Sequence, residues 1–202
     1  MTFDTHSFFW LNEPKQKKLQ SESLEIVTEP FTDLWQRTYY RFRNDNAPMF
    51  VTKTSAPYFS FVVKTTWEPQ GRFDQCGVVV YQDSEHWLKA SVEHQPKRPQ
   101  QLGSVVTNHG FSDWATTEVE ASLRVLWYRL SRRVDDFCVE ASFDGETFTQ
   151  LRVCHLHGAQ GEIRFGLYAC SPENASFKAT FSQLQLGPCQ WLDHDGQAPD
   201  VL

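Results

Sequence analysis

Between Phe73 and Trp114 the chain carries Asp74-Gln75-x-Gly77, Trp87-x-Lys89-x-x-x-Glu93, and Val105-Val106-Thr107-Asn108 followed by Ser112-Asp113-Trp114. Side chains alternate across an extended strand, so Trp87, Lys89, Ser91 and Glu93 share one face while Leu88, Ala90 and Val92 share the other. An aromatic platform flanked by paired polar groups suits a polar, ring-bearing ligand such as a sugar. Stacking supplies the apolar contact, and carboxylates and amides supply orientation. If neighbouring strands bring Asp74, Gln75, Thr107, Asn108, Ser112, Asp113 and Trp114 alongside, the result is a concave polar site with two indoles. The competing explanation for Lys89 and Glu93 is a cross-strand ion pair on an exposed face, which is common and worth little.

Arg129 stands inside the otherwise apolar run Leu126-Trp127-Tyr128-Arg129-Leu130, so it must reach solvent or meet an acid, for which Glu93 and Asp113 are the candidates. Paired carboxylates also raise catalysis. Glycoside hydrolysis needs two of them roughly 5 to 9.5 Å apart, and Glu93 as acid/base with Asp113 or Asp74 is the enzymatic alternative. Glu118-x-Glu120 places two acids on one strand face, but many exposed strands share that spacing. His155-x-His157 puts two imidazoles on one face with no third ligand identifiable nearby, so no metal and no cofactor is assigned. There is no G-x-S-x-G elbow, glycine-rich phosphate loop or H-E-x-x-H motif.

The elements that must position these groups read as strands. Sixteen Phe, seven Trp and six Tyr among 202 residues favour a pleated, half-buried surface, and helix signals are nearly absent. Tyr58 to Trp67 puts Phe59, Phe61, Val63, Thr65 and Trp67 on one face, and Cys76 to Tyr81 is a near-continuous apolar run. Leu123 to Leu130, Phe137 to Phe143, Phe148 to Val153, Glu162 to Cys170 and Phe177 to Leu186 add five strands. Asp144-Gly145 predicts a tight hairpin turn, and Gln95 to Gly103, with Pro96 and Pro99, a loop over the sheet rim. The spacing implies one domain over residues 1–202 made of two packed antiparallel sheets, with its core at about 8–186 and a polar tail at 193–202.

Nineteen basic residues against 25 acidic ones give a net charge of −6, and no basic cluster is longer than Lys15-Gln16-Lys17-Lys18. That disfavours a nucleic-acid partner. No stretch approaches the ~18 apolar residues of a membrane helix, and no export signal opens the sequence, so the expectation is a cytoplasmic protein without a membrane partner. Five cysteines at irregular spacing, with no C-x-x-C, suit reduced thiols.

Phe8-Phe9-Trp10-Leu11-Asn12-Glu13-Pro14, Thr32-Asp33-Leu34-Trp35, Asp74-Gln75-Cys76-Gly77, Trp87 to Glu93, Val105 to Asn108 with Ser112-Asp113-Trp114, and Ser142-Phe143-Asp144-Gly145 occur in that order. The ordered set resembles a family of concanavalin A-like sandwich proteins to which the fungal regulation-of-enolase protein belongs, and the match spans about Phe8 to Leu186. The resemblance implies an all-β jelly-roll of the lectin and glucanase type, without an established activity to transfer. It adds Asn12, Glu13, Asp33 and Trp35 to the candidate residues. The reading that follows is a non-catalytic binding domain for a carbohydrate or similar small polar ligand through Trp87, Lys89, Glu93, Asn108, Asp113, Trp114 and Arg129. A protein-interaction module is the further alternative, suggested by the family's link to enolase regulation.

Overall fold

The computed structural model describes residues 5–192. A short 3-10 turn (Thr5–Ser7) precedes β1 (Phe9–Leu11), β2 (Gln16–Leu19), β3 (Ser23–Val27), β4 (Leu34–Gln36), β5 (Arg43–Asp45) and β6 (Met49–Thr54). Longer strands follow as β7 (Tyr58–Glu68), β8 (Gln75–Asp83), β9 (His86–Glu93), β10 (Gln100–Asn108) and β11 (Phe111–Val119). The chain continues through β12 (Val125–Arg133), β13 (Asp136–Ser142), β14 (Thr149–His155), β15 (Ile163–Cys170) and β16 (Lys178–Gly187).

Two seven-stranded antiparallel sheets carry the fold, in the orders β1-β6-β15-β8-β9-β10-β11 and β14-β13-β12-β7-β16-β3-β2. Alternation decides what lies between them. Phe59, Phe61, Val63 and Trp67 from β7 meet Val78 and Val80 from β8 and Leu88, Ala90 and Val92 from β9 in one continuous core. Among the described residues no helix is long and apolar enough to cross a membrane. All five cysteines are free, and Cys76, Cys138 and Cys170 are buried.

A second apolar cluster sits on the outer face of the first sheet. There Val79, Trp87, Val105 and Tyr168 are covered by Leu34, Trp35 and Ala47. The cover is a strap over residues 28–47 that includes the small β4–β5 hairpin. It is fixed where Thr32 N donates to Ser171 O at 3.0 Å and, nearer its middle, where Gln36 N donates to Ser112 Oγ at 3.0 Å. Four non-glycine residues of the strap, Phe31, Arg37, Tyr39 and Arg41, hold φ between 56° and 66°. Each costs roughly 1 to 2 kcal/mol in that left-handed region, and such strain persists where surrounding contacts over-determine it.

Two local expectations need correction. The β13–β14 hairpin exists, but its connection runs over residues 143–148 instead of a two-residue turn. Asp144 explains the longer loop: its Oδ1 accepts from the amides of Glu146 and Thr147, both at 2.8 Å, and from Ser142 Oγ at 2.8 Å. These bonds hold its carboxyl down at about 2. The loop placed at Gln95 to Gly103 ends sooner, because Gln100 already pairs in β10. The tail at 193–202 lies outside the described residues.

Candidate functional site

Strand register arranges the outer face of the first sheet into rows. Tyr81, Trp87, Thr107 and Ser112 form one row, and Val79, Lys89, Val105 and Trp114 the next. Gly77, Ser91, Gly103 and Thr116 form the third, and Gln75, Glu93, Gln101 and Glu118 the fourth. Ser91 is thus flanked by two glycines. A Cβ at Gly77 would stand 1.9 Å from the Ala90 carbonyl oxygen, and one at Gly103 would stand 2.4 Å from that of Ala115, so neither place admits a side chain. The third row carries no side chain larger than threonine, and Gly77, Ser91 and Gly103 in it are buried.

Lys89 is the electrostatic centre of this face. It is 3% exposed, and its ammonium donates to Asp33 Oδ1 at 3.3 Å and to Gln75 Oε1 at 3.0 Å. Burial pulls its pKa down, but the Asp33 charge, aided by Cys170 and Glu93, outweighs that and moves it upward. The ion survives burial because it is paired and hydrogen-bonded. Gln75 Oε1 also accepts from Tyr168 Oη at 3.0 Å and Ser91 Oγ at 3.4 Å.

Among the described residues the buried Trp87 indole N–H of this face lacks a hydrogen-bond partner, and so does the Glu93 carboxyl. It is 7% exposed, and among the described residues it makes no hydrogen bond and no ion pair. Desolvation raises its pKa to about 7, opposed by the charge of Lys89 and reinforced by that of Asp33. Because the folded pKa lies above the ordinary 4.5, stability is greatest below that value, falls as pH climbs toward 7 and is flat above. The span corresponds to roughly 3 kcal/mol. Glu93→Gln is therefore expected to stabilise the protein by about that much at pH 8 and to be near neutral at pH 4. Urea melts at the two pH values read the difference, and an equal effect at both would contradict it. A residue that costs stability where it stands is characteristic of function.

Toward the β11 edge of the same face an aromatic crown faces solvent. Trp114 (39% exposed) meets Trp35 edge-on at 6.1 Å, and Trp35 meets Tyr40 at 5.5 Å. Tyr39 and Phe42 each contact Tyr40, at 4.9 and 6.0 Å, while the Arg37 guanidinium lies 5.2 Å from the Phe111 ring. Strained strap residues thus hold exposed rings beside the one accessible indole of the row.

The structure brings Gln75, Lys89, Glu93, Thr107, Ser112 and Trp114 to one face and separates the rest. Trp87 is fully buried beneath the strap, so it is not a stacking platform. Asp74 is a buried loop tie whose carboxylate accepts from Gln70 N, Gly71 N and Ser171 Oγ at 2.7 to 2.8 Å. Asp113 points to the opposite face of β11 from Ser112 and Trp114 and pairs with Arg152 at 3.1 Å. Arg129 lies on the other sheet, where Glu140 is its direct cross-strand partner, gripped through two contacts of 2.5 Å. Neither Glu93 nor Asp113 is its acid. Asn108 is a rim clamp, bonded to His155 O at 3.0 Å and His157 N at 2.9 Å. Asn12 ties to the carbonyls of Asp45 and Ala47, and Glu13 pairs with Lys17 at 2.8 Å. Thr107 and Ser112 bond each other at 2.8 Å and anchor the strap instead of facing a ligand. Sequence reading missed Tyr39, Tyr40, Phe42 and Phe111. The signal for the first three was their interleaving with Arg37, Arg41 and Arg43.

A cleft of about 240 Å³ away from this cluster is lined by Phe9, Lys53 and Arg164, and one of about 580 Å³ is lined by Lys97, Arg98, Phe143 and Glu118, which stands in the Glu93 row.

The chain is 30% identical over 177 residues to Regulation of enolase protein 1 of Saccharomyces cerevisiae, covering 88% of this chain and 87% of that one. A crystal structure of a functionally unknown Saccharomyces cerevisiae protein superposes with a TM-score of 0.85 at 29% identity, over 92% of this chain and 98% of that one. The carbohydrate-binding module CBM66 from Bacillus subtilis shares the fold at a TM-score of 0.55 and 13% identity, over 90% and 95% of the two chains. That likeness, with the two large antiparallel sheets, fits a concanavalin A-like sandwich. The family model described as "Protein of unknown function (DUF1349)" matches residues 10–189, and the chain belongs to that family.

Proposed function

We propose that this protein is a binding domain that holds a short carbohydrate chain across the outer face of its first sheet. The observation that carries the reading is Glu93, a buried carboxyl with no hydrogen-bond partner among the described residues, on the same sheet face as the exposed Trp114. An unpaired buried polar group costs about 1 to 3 kcal/mol, and a ligand hydroxyl that supplies the missing hydrogen bond recovers it. Trp114 and Tyr40 offer the ring faces. Glu93 and Trp114 are two strands and four residues apart, roughly 16 Å between Cα atoms. One sugar ring cannot touch both, so an extended chain of rings is the ligand class. The fold shared with a carbohydrate-binding module supports this by analogy alone.

Catalysis is the weaker reading. A carboxyl held protonated near neutral pH suits a general acid, but hydrolysis needs a second, free carboxylate facing it. Asp33 is committed to Lys89 and Leu34 N, Asp74 to its loop, and Asp113 faces away. The exposed crown also favours protein recognition, and a yeast relative is named for regulating enolase.

Titration of intrinsic fluorescence against neutral glycans of one to four units tests the proposal. Affinity should rise with length, fall at least tenfold in Trp114→Ala and fall severalfold in Glu93→Gln. A flat response to every glycan would count against it. A lysate protein retained by Glu93→Gln but lost by Tyr39→Ala with Phe42→Ala would favour the protein-recognition reading.

A further inference from the structure

Four of the chain's seven histidines converge on one rim of the sandwich, contributed by three separate turns. His86 comes from the start of β9, His109 from the β10–β11 turn, and His155 and His157 from the end of β14 and the segment after it. Ring centroids run 5.1 Å from His86 to His109, 4.7 Å from His109 to His157 and 4.7 Å from His157 to His155. The His155-x-His157 pair is visible in sequence, and its companions arrive only through the fold.

The first pair has the geometry of a coordination edge. His86 Nε2 lies 3.4 Å from His109 Nδ1. Two nitrogens each about 2.0 to 2.1 Å from one tetrahedral ion are about 3.3 to 3.4 Å apart. The other nitrogen of His86, Nδ1, sits 3.0 and 3.3 Å from the two carboxylate oxygens of Asp83. A carboxylate on the far nitrogen fixes the tautomer and turns the Nε2 lone pair outward, the arrangement that accompanies metal-bound histidines.

The turns that carry these rings are braced. Gly110 N donates to Glu85 O at 3.0 Å, and Arg37 donates to the Glu85 carboxylate at 2.8 Å and to the carbonyls of His109 and Gly110 at 3.3 and 3.1 Å. Asn108 holds the third turn through His155 O and His157 N.

We propose that this rim binds one divalent cation of the zinc, nickel and copper class, for which imidazole is a preferred ligand. His86 Nε2 and His109 Nδ1 are its two protein ligands, with water completing the sphere, and His157, tilted 35° against His109 at 4.7 Å, packs on the second of them. An ion there joins the β8–β9 and β10–β11 turns and stabilises the folded chain. At the far end His155, Asp135 and Asp136 place ligand atoms within 4.8 Å of one another. His155 Nδ1 is already bonded to Asp136 at 2.8 Å there, so we assign the ion to the His86 end.

The test is calorimetric titration of the tag-free full chain with ZnCl2, alongside thermal melts with and without the metal. One equivalent should bind with a rise in melting temperature. Affinity should fall at least tenfold in His86→Ala and in His109→Asn, the latter chosen because asparagine tolerates the positive φ of 52° at that turn. Asp83→Asn should weaken binding about tenfold, and Asp136→Asn should leave it within twofold. Metal-free circular dichroism shows that the variants fold. Absence of saturable binding, binding unchanged by both histidine variants, or binding lost in Asp136→Asn but kept in His109→Asn would overturn the assignment.

Discussion

Replacing Arg132 with methionine is expected to cost at least about 4 kcal/mol, enough to leave a domain of ordinary stability largely unfolded. The side chain is 1% exposed, and among the described residues its hydrogen bonds all go to backbone carbonyls and it makes no ion pair. Its guanidinium donates to Val134 O and Ala159 O at 2.6 Å, to Ala56 O at 2.8 Å and to Gly161 O at 2.9 Å. One group with rigid, forked donors stitches three loops together, beside the backbone bonds from Val134 N to Pro57 O at 2.8 Å and from Leu156 N to Asp135 O at 3.0 Å. Burial lowers its pKa, with Asp135 opposing, and the four carbonyls compensate the charge. Truncation leaves those carbonyls unmet at about 1 to 3 kcal/mol each. Chemical denaturation of Arg132→Met measures the loss, and a change under 1 kcal/mol would show that the loops hold without it.

Lys89→Met is expected to lose about 3 to 5 kcal/mol, the usual result of removing one member of a buried ion pair. Asp33 would keep a carboxylate beneath the strap without its cation, and Gln75 Oε1 would lose one of three donors. A second consequence separates this prediction from simple packing loss. Lys89 holds the Glu93 pKa down, so without the ammonium Glu93 should titrate above its present value of about 7. The pH at which stability levels off should therefore move upward in Lys89→Met. Adding Asp33→Asn should recover part of the loss, because the orphaned charge goes with it. If the double variant were no more stable than the single one, the ion pair would not be what holds the strap.

The strands were legible because alternation is local. β7, β8, β9, β12, β13, β14, β15 and β16 fall within three residues of the runs read from hydrophobic pattern, and Lys89 and Glu93 do share a face. The same rule, applied further, would have corrected two site assignments. Asp113 stands between Ser112 and Trp114, so it must face the other way. Arg132 follows Leu126, Tyr128 and Leu130 at period two, which marks it, and not Arg129, as the arginine of the core face. What could not be read is the strap. Its cover over Trp87 depends on Thr32 meeting Ser171 and Asp33 meeting Lys89, contacts 139 and 56 residues apart in sequence. No local pattern encodes such distances, and without the strap Trp87 looks like a platform instead of a buried ring. The histidine rim was hidden for the same reason.

Ligand is expected to lie on the outer face between the crown and Glu93. Chemical-shift mapping of the 15N-labelled protein during titration with a three-unit glycan reads its position residue by residue. The Trp114 indole N–H and the amides of Gly103 and Glu93 should move together and saturate at one equivalent, while the amides around Arg129 and Glu140 on the opposite sheet stay still. Saturating shifts confined to the opposite sheet, or to the cleft between Lys97 and Phe143, with Trp114 and Glu93 unmoved, would contradict that position.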